Sequence, residues 1–374
     1  MSDFPDETYS PLLSLTLQAI VESLGEDATE EQVASATEAA LASLQGEGAE
    51  KLFSDLKKHI PRGIGAEASL RKGFEKRNQT RWGPAFDLLE MMLVCSGEHA
   101  GAVSGLYGQK AADLNDVSFP TIKHLHAKSV LIGREVLHLC RGGYPDGALA
   151  RWRSLHEAAV TAMFLNEHRD VAARYLASFD FKACKAAEQM NRYAGRANLQ
   201  PFSDPELERM RLRRDTHCIT DNLAADYEWA RPALDISPKR QVNFADIELA
   251  VGLDHWRPRY RWASQHTHAP YRPLQNSLGE AESQSPVFLV GPSNSGMVDP
   301  LQMTAISLTV ADAAFFNLYP DFDRTIGLQV QLLAADEIGP LALDLQNKSL
   351  ERARRPKTQF HRLVEKLLRW TKSK

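Results

Sequence analysis

The chain has 374 residues, 43% of them hydrophobic, with a formal net charge of -4 and four cysteines, enough apolar material for one sizeable core with appendages. No run of about 18 apolar residues occurs, and Met1 to Tyr9 lack the basic and apolar regions of a signal peptide, so the expectation is a cytoplasmic protein without membrane contact. Cys95, Cys140, Cys184 and Cys218 stand far apart with no Cys-x-x-Cys pair, which speaks against zinc or dithiol redox chemistry and for inert thiols.

Residues 1 to 50 carry eleven acidic side chains and no Lys or Arg. Within and just beyond them, periodicity predicts short helices over 9 to 24, 29 to 45 and 48 to 59, split by Gly-Glu-Asp and Gly-Glu-Gly and ending at Pro61-Arg-Gly-Ile-Gly65. These make an acidic helical appendage, 1 to 65. A core domain, 78 to 340, follows with helical patterns over 82 to 105, 120 to 141, 146 to 168, 171 to 196, 204 to 230, 257 to 269, 300 to 318 and 322 to 339. Strand character is confined to Val287-Phe-Leu-Val290, so the expected fold is all-α, an irregular multi-helix bundle. The last stretch, 348 to 374, holds ten Lys or Arg against Glu351 and Glu365. Its Phe360, Leu363, Val364, Leu367 and Leu368 recur at helical spacing, giving a basic amphipathic helix. Three readings stand for it: a nucleic-acid contact, a solvated helix, or a surface that the acidic head covers.

Two boundaries are sharply marked. Gly142-Gly143 closes one helix and Pro145-Asp146-Gly147 opens the next, which predicts an antiparallel pair with facing residues. Gly291-Pro-Ser-Asn-Ser-Gly296 leads into a helix capped around Asp299 with Pro300 in its first turn. It lacks the Gly-Lys-Ser/Thr ending of a phosphate-binding loop and reads as a connector.

Projected at 100° per residue, the 146 to 168 helix is apolar on two sides: Ala148, Trp152, Leu155, Ala159, Ala162 and Met163 on one, Leu149, Val160 and Phe164 on the other. Such a helix is expected to be buried. Arg153 and Glu157 fall in the second group as an (i, i+4) pair embedded in the core, with His156 at the edge of the first stripe. Burying charge costs several kcal/mol per ion unless it is paired, so the pair reads either as structural or as part of a site. A second constellation lies at Arg257-Pro-Arg-Tyr-Arg-Trp-Ala-Ser-Gln-His-Thr-His-Ala-Pro270. There Tyr260, Ser264 and His268 share one helix face with Arg261, and His268 is placed to act as an acid or base. His266 and His268, two apart, point to different sides, which argues against a metal. No cofactor motif is present.

The run Gly142 to Glu157, followed by Tyr260-x-x-x-Ser264-x-x-x-His268, resembles the bacterial family catalogued as domain of unknown function 5677, over roughly residues 80 to 340. The resemblance implies a helical fold and a common pocket formed by Arg153, Glu157, Tyr260, Ser264 and His268. A second resemblance is to helical HEPN ribonucleases, whose Arg-x4-His pattern Arg151 and His156 match. It implies metal-independent RNA cleavage, with His156 moving a proton and Arg151 steadying phosphate charge, in a toxin or phage-defence setting with an antitoxin-like protein partner. The two residues stand about 140° apart on an ideal helix, so a shared site requires a bend or a homodimer partner. The expected function is therefore a HEPN-like ribonuclease with RNA or nucleotide as partner. The alternatives are a non-catalytic helical module binding a nucleotide, RNA or protein, and a hydrolase or transferase using Ser264 and His268.

Overall fold

The computed structural model describes residues 18–20, 22–25, 28–43, 46, 48–219, 221–267, 277–283 and 288–354. Among them there is no strand, and residues 288–290 of the candidate strand are irregular, so the fold is all-α. The chain forms two compact units, residues 1–73 and 74–374.

In the first unit, residues 18–20 and 22–24 of the predicted 9 to 24 helix are helical, and the rest of that segment lies outside the described residues. Helix α1 (Glu30–Ser43) begins where Thr29 and Gln32 cap each other reciprocally: the Thr29 N–H donates to Gln32 Oε1 at 2.9 Å and the Gln32 N–H to Thr29 Oγ1 at 3.3 Å. Helix α2 is Ala49–Asp113, so the predicted break at 61 to 65 is not there. Pro61 forfeits one backbone bond and Gly63 and Gly65 cost up to about 1 kcal/mol each, while the surrounding Lys, Leu, Ala and Glu are strong helix formers.

The second unit holds the core. Its helices are α2 from Phe74 on, α3 (Ser118–Gly142), α4 (Pro145–Glu167), α5 (Ala172–Ala197), α6 (Asp204–Asp215), α7 (Phe244–Ala250), α8 (Arg257–Ser264), α9 (Val298–Phe316) and α10 (Phe322–Arg354). The α3–α4 turn follows the sequence signals. Gly143 takes φ +84°, its N–H and that of Tyr144 closing on Cys140 and Leu139 carbonyls, and Pro145 opens α4. A Cβ at Gly143 would stand 2.4 Å from Phe74 Cζ, so the position needs glycine for space as well as conformation.

Helix α4 is the central element, packed against α3, α9, α8 and α7. As its two apolar faces predict, it is buried on both, with Trp152 and Phe164 fully enclosed alongside Trp82, Phe86, Phe315 and Phe316. The Trp152 Nε1–H donates to Ser307 Oγ on α9 at 2.9 Å, satisfying the one polar atom of that ring. Where α2, α3 and α9 meet, Asp312 Oδ1 accepts from Ser96 Oγ at 2.5 Å and lies 2.7 Å from His126 Nε2; all three residues are buried.

Three element ends differ from expectation for identifiable reasons. The helix predicted over 204 to 230 stops at Asp215, because Cys218 adopts φ +52° and His217 turns aside to Asp180 at 2.8 Å. The 257 to 269 helix ends at Ser264, where the chain turns and His266 docks on Asp146. The 322 to 339 helix instead continues to Arg354 through an exposed Pro340. Of the basic segment, 348–354 belong to α10; residues 355–374, like 1–17, lie outside the described residues.

Candidate ligand-binding cleft and its supporting network

Helices α3, α4 and α5 and the segment around residue 227 enclose a cleft of about 300 Å³. Lys128 comes from α3, Arg151 from α4 and Lys182 from α5, with Ser154, Glu157, Tyr175, Phe179, Tyr227 and Trp229 on the walls. Lys128 is exposed and makes no ion pair among the described residues. Arg151 pairs with Glu135, while Lys182 donates to the Asp226 carbonyl at 3.2 Å and lies 3.8 Å from its carboxylate. Phe179 is half exposed, at 51%. Burial pushes the Tyr175 phenol up to about 12, and burial followed by the Glu157 charge raises that of Tyr227, so both hydroxyls stay protonated donors at neutral pH.

The Arg153–Glu157 pair and Tyr260 come together as expected. Arg153 Nη2 lies 3.2 Å from Glu157 Oε1, and the Tyr260 hydroxyl donates to the same oxygen. The Tyr260 ring is flanked by two guanidiniums, Arg153 at 4.8 Å and Arg257 at 5.3 Å from its centroid. Burial foremost, then the bond to Glu157, raises the Tyr260 phenol and keeps its proton in place. For Arg153, burial alone would lower the pKa, but its bond to the Tyr260 oxygen and the charge of Glu157 outweigh it and hold the guanidinium firmly charged.

The depths of these residues on α4 are the reverse of the projection. Arg153 and Glu157 keep about a third of their side chains exposed (28% and 34%), whereas His156 is 3% exposed. The cause is α7, which brings the fully buried Glu248 against His156, with Oε1 3.0 Å from Nε2, while Arg257 holds the other carboxylate oxygen. Trp152, Phe244 and Tyr260 rings, all within 6 Å of the imidazole, complete the enclosure. Arg151 therefore lines the cleft and His156 does not. Ser264 donates to the Tyr260 carbonyl at 2.8 Å, and Arg261 is exposed. His268 and Pro270 lie outside the described residues.

Sequence reasoning passed over Glu248. On α7, Phe244, Ile247 and Glu248 share a face by their i, i+3, i+4 spacing, which was the available signal. It also passed over Asp146, in the first turn of α4, which accepts from Ser277 Oγ (2.8 Å), the Leu278 and Gly279 N–H groups (2.9 and 3.0 Å) and has His266 Nδ1 at 2.9 Å. Burial would raise this carboxyl, but His266, Gly279, Leu278 and Ser277 together lower it to about 2. A depressed folded-state pKa adds stability that is present above the unfolded value, near 4, and is lost as pH falls through about 2. Urea titrations at stepped pH should show the wild-type chain exceeding Asp146→Asn by roughly 2 kcal/mol above pH ~4, the gap closing toward pH ~2. A gap that does not change with pH would contradict this assignment.

Among the described residues, no three His, Cys, Asp or Glu side chains stand together as a metal-ligand set, and no helix is long and apolar enough to cross a membrane. Residues 121–286 match the model of a family of unknown function (DUF5677), a narrower span than the resemblance seen in the sequence. That span contains the cleft and the Arg153, Glu157 and Tyr260 cluster but not α9. No curated protein and no solved structure matches the chain.

Proposed function

We propose that the chain is a non-catalytic helical module whose α3–α4–α5 cleft binds a nucleotide, free or as a unit of RNA. The observation that carries this reading is the convergence of Lys128, Arg151 and Lys182, one from each helix, on a cleft walled by Tyr175, Phe179 and Tyr227. Lys and Arg bind phosphate through charge-assisted hydrogen bonds, and an exposed aromatic face stacks on a base. The volume falls at the lower end of the range for small-molecule sites.

The enclosure of His156 favours binding over cleavage. Its Nε2 is held by Glu248, so it does not reach a phosphate bound beside Arg151. The HEPN-like ribonuclease reading, with its toxin or phage-defence role, would need a proton carrier other than the enclosed His156. An antitoxin-like protein partner is not required for binding.

Isothermal titration of the full chain with adenosine monophosphate should give saturable binding. Lys128→Ala, Arg151→Ala and Lys182→Ala should each weaken it about tenfold, from the usual worth of a hydrogen bond to a charged group. RNA incubated with the chain in EDTA should stay intact. Absence of nucleotide binding, or RNA cleavage abolished by His156→Ala, would overturn the proposal.

A further inference from the structure

Glu157 is out of place in a cleft built for phosphate, since a carboxylate among Lys128, Arg151 and Lys182 repels the anion they attract. Its geometry is nonetheless tightly defined. Oε1 is occupied twice, by the Tyr260 hydroxyl and by Arg153 Nη2 at 3.2 Å. The Tyr260 phenol, raised by burial and by Glu157 itself, stays a donor across the neutral range. Oε2 has no protein donor among the described residues, and the side chain is one-third exposed to the cleft. The other carboxylate on the wall, Asp226, is beside Lys182 instead.

Along α4 the wall runs Arg151, Ser154, Glu157 and Thr161, one turn after another. The carboxylate thus lies about 9 Å along the axis from the Arg151 position, a distance that the long guanidinium side chain partly spans. A sugar joining a phosphate on Arg151 to a base on Phe179 would offer the Glu157 wall hydroxyls, not charge.

We propose that Glu157 is the specificity-determining residue of the cleft and that its unshared oxygen accepts the sugar hydroxyls of a ribonucleotide, selecting ribose over deoxyribose. This rests on the nucleotide reading above. A site built to hydrogen-bond a hydroxyl rejects the analogue that lacks it, because the acceptor, covered by the bound nucleotide, is then left unpaired.

The test is isothermal titration of the full chain with adenosine monophosphate and its deoxyribose counterpart. Adenosine monophosphate should bind about tenfold or more tightly than the deoxy form. Glu157→Gln should bring the two within about twofold. Tyr260→Phe, which keeps the carboxylate but releases its orientation, should shrink the preference severalfold in a chain shown by its melting transition to be folded. Equal affinity for the two nucleotides in the parent chain, or a preference that survives Glu157→Gln, overturns the inference and leaves the nucleotide reading standing. If neither nucleotide binds, both fall together.

Discussion

Asp312→Ala should lower the unfolding free energy by about 3–5 kcal/mol, seen as a lower urea midpoint with an unchanged slope. Asp312 is fully buried on α9, and its Oδ1 is the acceptor for Ser96 from α2 and the partner of His126 from α3. Alanine leaves both partners enclosed with their acceptor gone, and a stranded buried polar group costs the full price of its lost hydration. Ser96→Ala, which removes one donor and leaves the His126–Asp312 pair, should cost only about 1 kcal/mol. A loss for Asp312→Ala no larger than that of Ser96→Ala would show that water replaces the carboxylate. Although Ser, His and Asp meet here, the arrangement does not make a nucleophile. The serine hydroxyl donates to the carboxylate, and all three residues are closed to any substrate.

Glu248→Ala should cost about 3 kcal/mol, at the low end for a broken buried ion pair, because Arg257 keeps a quarter of its side chain (26%) exposed and reaches water while His156 does not. His156→Ala should cost less, since Glu248 retains Arg257. Adenosine monophosphate affinity should stay within about twofold of the parent in a folded Glu248→Ala chain. A large loss of affinity at unchanged stability would move Glu248 from the scaffold into the binding site.

Much of this architecture is legible in the sequence because it is local. Gly143, Pro145 and the doubly apolar α4 declare a short turn and a buried helix by conformational and packing rules that need no distant partner. The Glu157–Tyr260 meeting, across 103 residues, was legible only through the family resemblance, which implies one pocket for the polar residues of the two helices. The depth of His156 was not legible, since it depends on where the seven-residue α7 comes to rest at the end of a loop-rich stretch. The cleft cations were invisible as a set: Lys128, Arg151 and Lys182 sit one per helix, and no spacing along the chain distinguishes them from other surface bases. Asp312 did leave a trace, as a lone acid among Leu308, Ala311, Ala314 and Phe315.

The polar contacts across the bundle also fix where each helix stops sliding. Trp152 is keyed to Ser307, Asp312 to Ser96 and His126, and Gln331 on α10 to the Met92 carbonyl on α2. A slip of one turn, about 5.4 Å, would keep most apolar contacts but strand every one of these groups. The middle of α2, α3, α4 and α9 is thereby bound to open as a single cooperative block, whose amides would be the last to exchange with solvent. The cleft lies at the margin of that block. Its α3 and α4 walls belong to that block, whereas the α5 side and the segment around residue 227 lie outside it.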